Sequence, residues 1–390
     1  MYKNAFELKA ANLQKIFLTI QEKGPVSRAH LARQLSLSPA TVSAVTKRLL
    51  DEKWIVECGR GDSDEKGGRR PILLRANPDS GWIFSVLLGK TVRCIWVDVN
   101  GKPRERLVIP KEQVNSLVEE EVLTFIMRSV CEKDDRRTLG IAIAVPGLVS
   151  EGVVRFSGPL GWRNVPLAAR LQEKISLPVY VENDTNAAAL DLYRQLQEHR
   201  GENLLYVHAD EGVGAGVVLR GSLYRGGSGS AGELGHITVV MNGEPCDCGN
   251  RGCLGLYIGR KALERAGFPD SKYERFSEYV GAIAKTPEGK RTLAEMGGLL
   301  GVALANAINL FDPQHVVLGG ALSQIDVFFD AVRNRVFERA LPTILQGVHF
   351  SRNKLGWDAP LLGVAGELLN QVIPTVLVED LLKDERFYYK

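Results

Sequence analysis

Six cysteines in 390 residues are too few for a disulfide-stapled secreted fold. The amino terminus, MYKNAFELKAANLQKIF, lacks the positive, apolar and small-residue succession of a secretory leader. No apolar run reads as approaching the ~18 residues that a membrane span needs. These absences lead us to expect a soluble, cytoplasmic protein with reduced thiols. A large charge of one sign is missing too, since 49 Lys and Arg face 46 Asp and Glu, for a formal net charge of +3. That balance says little until it is divided. Residues 1–80 hold 14 basic and 9 acidic side chains, net +5, and leave 35 and 37, net −2, for the rest. The positive excess sits at the amino-terminal end, where it favours a polyanion partner. At this length two or three domains can each bury a core.

Residues 7–22 place Leu8, Leu13, Ile16, Phe17 and Ile20 at helical spacing, and Gly24-Pro25 ends the run. Ser27 is placed to cap a short helix carrying Leu31 and Leu35. Ser38, followed by Pro39, opens a second helix that runs to about Glu52. Two short helices joined by Ser36-Leu37-Ser38 match a helix-turn-helix. Val42, Val45 and Leu49 are expected to face its core, and Thr41, Ser43, Thr46, Lys47 and Arg48 its polar side. Ser38, Thr41 and Ser43 stand where such a helix reaches base edges, and Lys47 and Arg48 where it holds phosphates. Residues 54–57 and 72–75 read as the strands of a wing. The stretch between them, CGRGDSDEKGGRRP, carries Arg60, Lys66, Arg69 and Arg70, a basic tip suited to a DNA backbone or minor groove. An interaction module of three helices and a hairpin is the alternative reading. Asn77 to Gly81 reads as a linker.

From Trp82 onward, buried strands alternate with helices, the pattern of α/β layers. Two stretches each pair a glycine-hinged hairpin with an apolar strand, which points to two similar lobes with a cleft. Within the second, His236, Cys246, Cys248 and Cys253 fall as H-x9-C-x-C-x4-C. One imidazole and three thiolates suit tetrahedral Zn²⁺, and Gly249 and Gly252 let the backbone fold tightly around it. Four protein ligands leave no position for a reactive water, so the metal would be structural. A buried thiol cluster or redox pair is the alternative.

AVPGLV, SGPLGW, VENDTNAAA, the GELGH–cysteine cluster, VVLGG and APLLGVAG together resemble the ROK family. That family groups repressors and sugar kinases on a two-lobed actin/hexokinase-like fold. An amino-terminal winged helix-turn-helix is the mark of its repressor branch. The resemblance implies a DNA-binding head over residues 1–78 and a small lobe over 79–195, joined by a carboxy-terminal helix at about 366–390. It implies a large lobe with the zinc loop over 196–365. It places Asn183 and Asp184 on the sugar, Asp184 at the general-base position, with Glu233 and His236 on further hydroxyls. It assigns structural zinc to the same His236, Cys246, Cys248 and Cys253. Read from the residues alone, Asp184 could instead cap the helix that follows it.

Four departures from the family pattern stand out. Where the kinases have Asp-x-Gly-Gly-Thr, this chain has Leu87-Leu88-Gly89-Lys90-Thr91, without the carboxylate that helps place Mg²⁺. Where they favour Gly-Thr-Gly, it has Asp210-Glu211-Gly212, which would repel a triphosphate. Gly255 replaces the usual glutamate of Cys-x-Glu, and Gly158 stands where asparagine is common. The expectation is therefore a non-catalytic, sugar-responsive repressor that binds operator DNA as a homodimer or higher homo-oligomer. An active sugar kinase with a DNA-binding head is one alternative. A regulator with a vestigial cleft, controlled by a protein partner, is the other.

Overall fold

The computed structural model describes residues 2–61, 70–89, 91–109, 119–132, 137–196, 201–269, 273, 275–353, 356 and 358–383. The expected wing-tip residues Lys66 and Arg69, and Lys90 of the first loop, lie outside the described residues.

The head runs α1 (Tyr2–Lys23), β1 (Val26–Ser27), α2 (Arg28–Leu35), α3 (Pro39–Asp51), β2 (Ile55–Arg60) and β3 (Ile72–Ala76). Its boundaries follow local chemistry. Ser27 accepts the His30 N–H, Ser36 closes α2 in the left-handed region, and Ser38 accepts the Thr41 N–H ahead of Pro39. The strands pair antiparallel in the order β1-β3-β2, so the wing is a true hairpin with Arg60 and Arg70 exposed at its base. Leu13, Ile16, Phe17, Ile20, Leu31, Val42 and Leu49 are buried, and Trp54 packs edge-on against Phe17 at 5.3 Å. One core position differs from expectation. Thr46 is fully buried and Val45 only half so. The Thr46 hydroxyl can go inside because it donates to the Val42 carbonyl and accepts from Arg28 Nε.

Beyond the head the chain adds β4 (Trp82–Leu87), β5 (Arg93–Asp98), β6 (Pro103–Val108), α4 (Glu119–Cys131) and β7 (Thr138–Val145). Next come β8 (Leu148–Ser150), β9 (Val153–Ser157), β10 (Trp162–Val165), α5 (Leu167–Gln172), β11 (Val179–Asn183) and α6 (Asp184–Gln195). The second half holds β12 (Leu204–Ala209), β13 (Val213–Leu219), β14 (Ser222–Leu223), α7 (Arg260–Arg265), α8 (Phe276–Ile283) and α9 (Pro287–Phe311). It ends with β15 (His315–Gly319), α10 (Asp326–Arg339), α11 (Pro342–Leu345), β16 (His349–Arg352) and α12 (Asp358–Lys383).

The expected repetition is explicit in the sheets. One five-stranded sheet has the order β6-β5-β4-β7-β11 and the other β14-β13-β12-β15-β16. Each opens with an antiparallel meander of three strands and then adds two strands on the far side of the first. β12 is buried on both faces, with Leu205, Val207 and Ala209 in one apolar cluster and Leu204 and Tyr206 in another. By contacts the chain divides into two units: Met1–Ile143 with Pro166–Tyr180 and Ala365–Lys390, and Ala144–Val165 with Val181–Val364. Three of the four cuts fall inside β7, β11 and α12, and the fourth separates β10 from α5.

One expectation from the sequence needs correction. α9 and α12 are both long and apolar enough to cross a membrane by length and composition. α9 explains its own composition, because Leu293, Met296, Leu300, Ala303, Leu304 and Ile308 all enter the core cluster beneath the second sheet. A helix wrapped by protein on most sides needs apolar residues all round.

Candidate functional site

The head presents one coherent face. On α3, Ala40, Ser43, Ala44 and Lys47 are exposed at helical spacing, with Ser38 exposed at its start and Thr41 half-buried beside it. The Ser38 hydroxyl is shared between the cap and Thr41 Oγ1 at 2.8 Å. Arg48 does not belong to that face. Its side chain is 10% exposed, and its guanidinium is ion-paired to Glu52 at 2.7 Å and bonded to the Asp380 carbonyl at 3.0 Å. Helical phase turns it from the solvent toward α12, so the expectation that it faces DNA is corrected.

The four metal-ligand candidates converge. One ligand atom from each of His236, Cys246, Cys248 and Cys253 lies within 4.8 Å of every other. Cys248 and Cys253 sulfurs are 3.6 Å apart, and His236 Nδ1 is 3.8 Å from the Cys246 sulfur. Metal–sulfur bonds of about 2.3 Å in a tetrahedron require sulfur separations of about 3.8 Å, which these two distances approach. The backbone is folded for it: Cys246 N–H bonds to Asn250 O, Gly249 N–H to Cys246 O, and Thr238 bridges Cys253. Gly252 is obligatory here, with φ +69° and the Val240 oxygen 1.8 Å from where a Cβ would lie. The Asn250 backbone N–H holds the Cys248 thiol down to about 7, whereas burial pushes Cys253 up to about 12. A bound cation would deprotonate both.

His236 uses Nδ1 toward the cysteines and turns Nε2 toward Glu233, 3.9 Å from its carboxylate. Gly232 and Gly235 lay this segment against β13, where a Cβ on either would meet the Ala215 or Val213 carbonyl at 2.3 and 2.6 Å. Burial raises the Glu233 carboxyl above its ordinary range, His236 pulls it back, and the Asp184 charge adds to the rise.

Asn183 and Asp184 sit at the β11–α6 junction in the same unit as Glu233 and His236. The capping role falls to Asn183 rather than Asp184. The Asn183 side-chain oxygen accepts the Asn186 N–H at 2.9 Å and its amide donates to Gly147 O at 2.9 Å. Asp184 spends one oxygen on the Thr185 N–H at 2.8 Å. Burial pushes its carboxyl up, and the charge of His208 opposes that rise. Sequence reading passed over His208. The available signal was period two in β12, which puts it on the face shared by Leu204 and Tyr206. Glu182, buried beneath, accepts from Asn183 N–H and Asn186 Nδ2 and pairs with Arg225 at 3.0 Å. It thereby ties the start of α6 to the segment leading into Glu233.

The acidic pair of the second loop is already engaged. Asp210 accepts the Ala321 N–H at 2.8 Å and the Glu211 N–H at 3.0 Å, and Glu211 pairs with Arg260 at 2.9 Å. Leu87 ends β4, across from Arg93. Gly158 is exposed in the β9–β10 turn. A Cβ at Gly255 would lie 3.2 Å from the Gly235 oxygen. Gly255 also borders a shallow depression of about 490 Å³ that it shares with Leu256, Lys261, Glu264 and Arg265.

Residues 11–56 match a winged helix-turn-helix DNA-binding family, and residues 85–371 match the ROK family. The xylose repressor of Caldicellulosiruptor bescii is 31% identical, the match covering 94% of this chain and 97% of the repressor. The crystal structure of a ROK family transcriptional regulator, a homologue of the E. coli MLC protein, superposes with a TM-score of 0.79 at 26% identity. That match covers 95% of this chain and 99% of the regulator. A ROK family glucokinase from Streptomyces griseus, solved with glucose and AMPPNP, gives a TM-score of 0.60 at 27% identity, covering 74% of this chain and 99% of the kinase. The kinase thus corresponds to about three quarters of this chain, whereas the regulators correspond to nearly all of it. With its ROK match spanning most of its length and a relative above 30% identity matched nearly end to end, the chain belongs to the ROK family.

Proposed function

We propose that this protein is a cytoplasmic, sugar-responsive transcriptional repressor that binds two-fold operator DNA as a homodimer. The observation that carries the reading is the end-to-end match to a xylose repressor, head included. In this reading residues 1–78 are the DNA-binding head, 79–195 with the last helix a small lobe, and 196–365 a large lobe. Ser38, Thr41 and Ser43 read bases, while Lys47 and the wing residues Arg60, Arg69 and Arg70 hold phosphates. Asp184, Glu233 and His236 take the effector, with Asn183 holding the loop that positions it. Carboxylates are acceptors only, so the cluster suits a ligand rich in donating hydroxyls.

Zinc is the ion that one imidazole and three thiolates favour, and it would hold the 236–253 loop in shape. His236 then joins the two sites, presenting Nε2 toward the effector while Nδ1 holds the metal. Phosphoryl transfer is not part of the function. Leu87 supplies no carboxylate for Mg²⁺, and the carboxylates of Asp210 and Glu211 would repel a triphosphate.

The test joins three measurements on the full chain: operator selection from random DNA, calorimetry with pentoses, hexoses and acetylated amino sugars, and a coupled ATPase assay with the same panel. Sugar-dependent operator release without ATP turnover is the expected result. Turnover of ATP with any sugar would make the chain a kinase. Absence of operator binding would remove the regulatory reading altogether.

Operator affinity should fall steeply with salt, because each neutralised phosphate releases counterions. Lys47→Gln and Arg70→Gln should each flatten the plot of log affinity against log salt by about 0.9, uniformly across DNA sequences. An unchanged slope in either variant removes that residue from the phosphate contacts.

A further inference from the structure

Two residues of the head go against local preference, and each accounts for the other. Arg28 opens α2, placing a cation at the helix end whose free N–H groups favour an anion. Thr46 lies fully buried on α3 in line with Val42 and Leu49. A valine would fill the same shape there and bring no hydroxyl to satisfy. Arg28 Nε donates to Thr46 Oγ1 at 2.9 Å. The Thr46 hydroxyl gives its own proton to the Val42 carbonyl at 2.8 Å, which leaves a lone pair for the guanidinium. Where a sequence departs from local preference without gain to the core, a function is to be sought.

The other side of the guanidinium reaches the wing. Arg28 Nη2 stands 3.7 Å from the carboxylate of Glu57 in β2, the strand that continues through a register shift to Arg60. Glu57 is half exposed, so the pair adds little free energy, but it gives the guanidinium a second direction. One planar group thus joins the first turn of α2, the middle of α3 and the base of the wing. In the chain Thr46 stands between Ser43 and Lys47, both exposed on the face proposed to meet DNA. Arg28 takes hold of the buried side of α3, so it fixes the rotation of that helix without occupying its reading face.

We propose that Arg28 is the positioning residue that holds the reading helix at its angle to the wing, with Thr46 and Glu57 as its two anchors. Other side chains meet the bases and phosphates, and Arg28 acts on operator recognition through where those side chains point. Hydrogen bonds to base edges are directional and carry the sequence information, whereas attraction to the phosphates is independent of sequence. Loss of the anchor should therefore cost specificity before it costs affinity for DNA in general. The inference rests on the DNA-binding reading above and adds the residue that orients its two contacting elements.

The experiment compares the full-length wild-type chain with Thr46→Val, Thr46→Ser, Arg28→Ala and the double variant Arg28→Ala/Thr46→Val. Affinity is measured across a salt series for the operator selected from random DNA and for a scrambled duplex of the same length. Denaturant titration and amide hydrogen exchange accompany it. Thr46→Val should be at least as stable as wild type, yet its preference for operator over scrambled duplex should fall about tenfold, with the salt slope unchanged. Thr46→Ser keeps the hydroxyl and should restore the preference. Arg28→Ala should match Thr46→Val, and the double variant should be no worse than either, as expected of two residues that act through one contact. A wild-type preference in Thr46→Val overturns the proposal. So does an Arg28→Ala variant that weakens both duplexes alike and flattens the salt slope by about 0.9, which would make Arg28 a phosphate contact. A wild-type chain that selects no operator would instead sink the DNA-binding reading. Hydrogen exchange would still judge the anchor: the amides of α3 and β2 should exchange faster together in Arg28→Ala, and wild-type exchange in either element overturns it.

Discussion

Cys253→Ser is expected to leave the chain without bound metal and to lower effector affinity on the order of 100-fold. Metal analysis of wild-type protein purified without added metal should give about one zinc per chain, and the variant close to none. The effect should be large because Cys253 is both buried and central to the loop. Its sulfur lies 3.6 Å from Cys248 and 3.4 Å from the His236 carbonyl, and its backbone bridges Thr238. Serine offers a poor ligand there, and the three remaining donors would be left in a site shaped for four. The damage should be local. Leu254 and Ile258 anchor the following segment in the apolar cluster under the second sheet, so the unit should stay folded. His236 is the member that carries the damage outward, since without a metal on Nδ1 nothing orients Nε2 toward Glu233. Chelation of the wild type should reproduce the loss, and added zinc should reverse it for wild type but not for the variant. A metal-free wild type that is folded and binds its effector would refute the site.

The parts that were readable in the sequence are those fixed by near neighbours. Ser27, Ser38 and Pro39 specify helix starts within four residues of themselves, and the structure begins α2 and α3 where they indicate. The cysteine spacing specified its own cluster for the same reason. Asn183 and Asp184 are nearly equivalent as caps, and which one serves depends on where β11 lets go of the backbone. Thr46 looked like a surface residue until Arg28 supplied the donor that let it go inside. Arg48 looked like a phosphate contact until Asp380, 332 residues later, claimed it. The apolar length of α9 came from burial around most of its circumference, which composition cannot distinguish from lipid. Distant partners decide these cases, and no local pattern contains them.

Gly363→Ala should be strongly destabilising. In a helix interior, alanine ordinarily stabilises relative to glycine by about 1 kcal/mol. At Gly363 the sign reverses. The new Cβ would stand 1.7 Å from the Ala187 oxygen, 2.4 Å from its carbonyl carbon and 3.1 Å from its Cα. All three atoms belong to the backbone of a packed helix, so no side chain can rotate away. Relief requires α6 and α12 to separate, which also stretches the two Arg194 hydrogen bonds. Overpacking of this kind costs on the order of 3 kcal/mol. Gly281, inside α8, supplies the control, because nothing lies within 4 Å of its added Cβ. Gly281→Ala should leave stability unchanged or raise it by up to about 1 kcal/mol. Denaturant titration of both variants checks the pair, and Gly363→Ala melting with wild type would mean that α6 and α12 do not meet as closely as they stand here. α6 carries Asp184 at its first residue, so a displaced α6 moves the carboxylate proposed to take the effector while leaving every side chain of the cluster chemically intact.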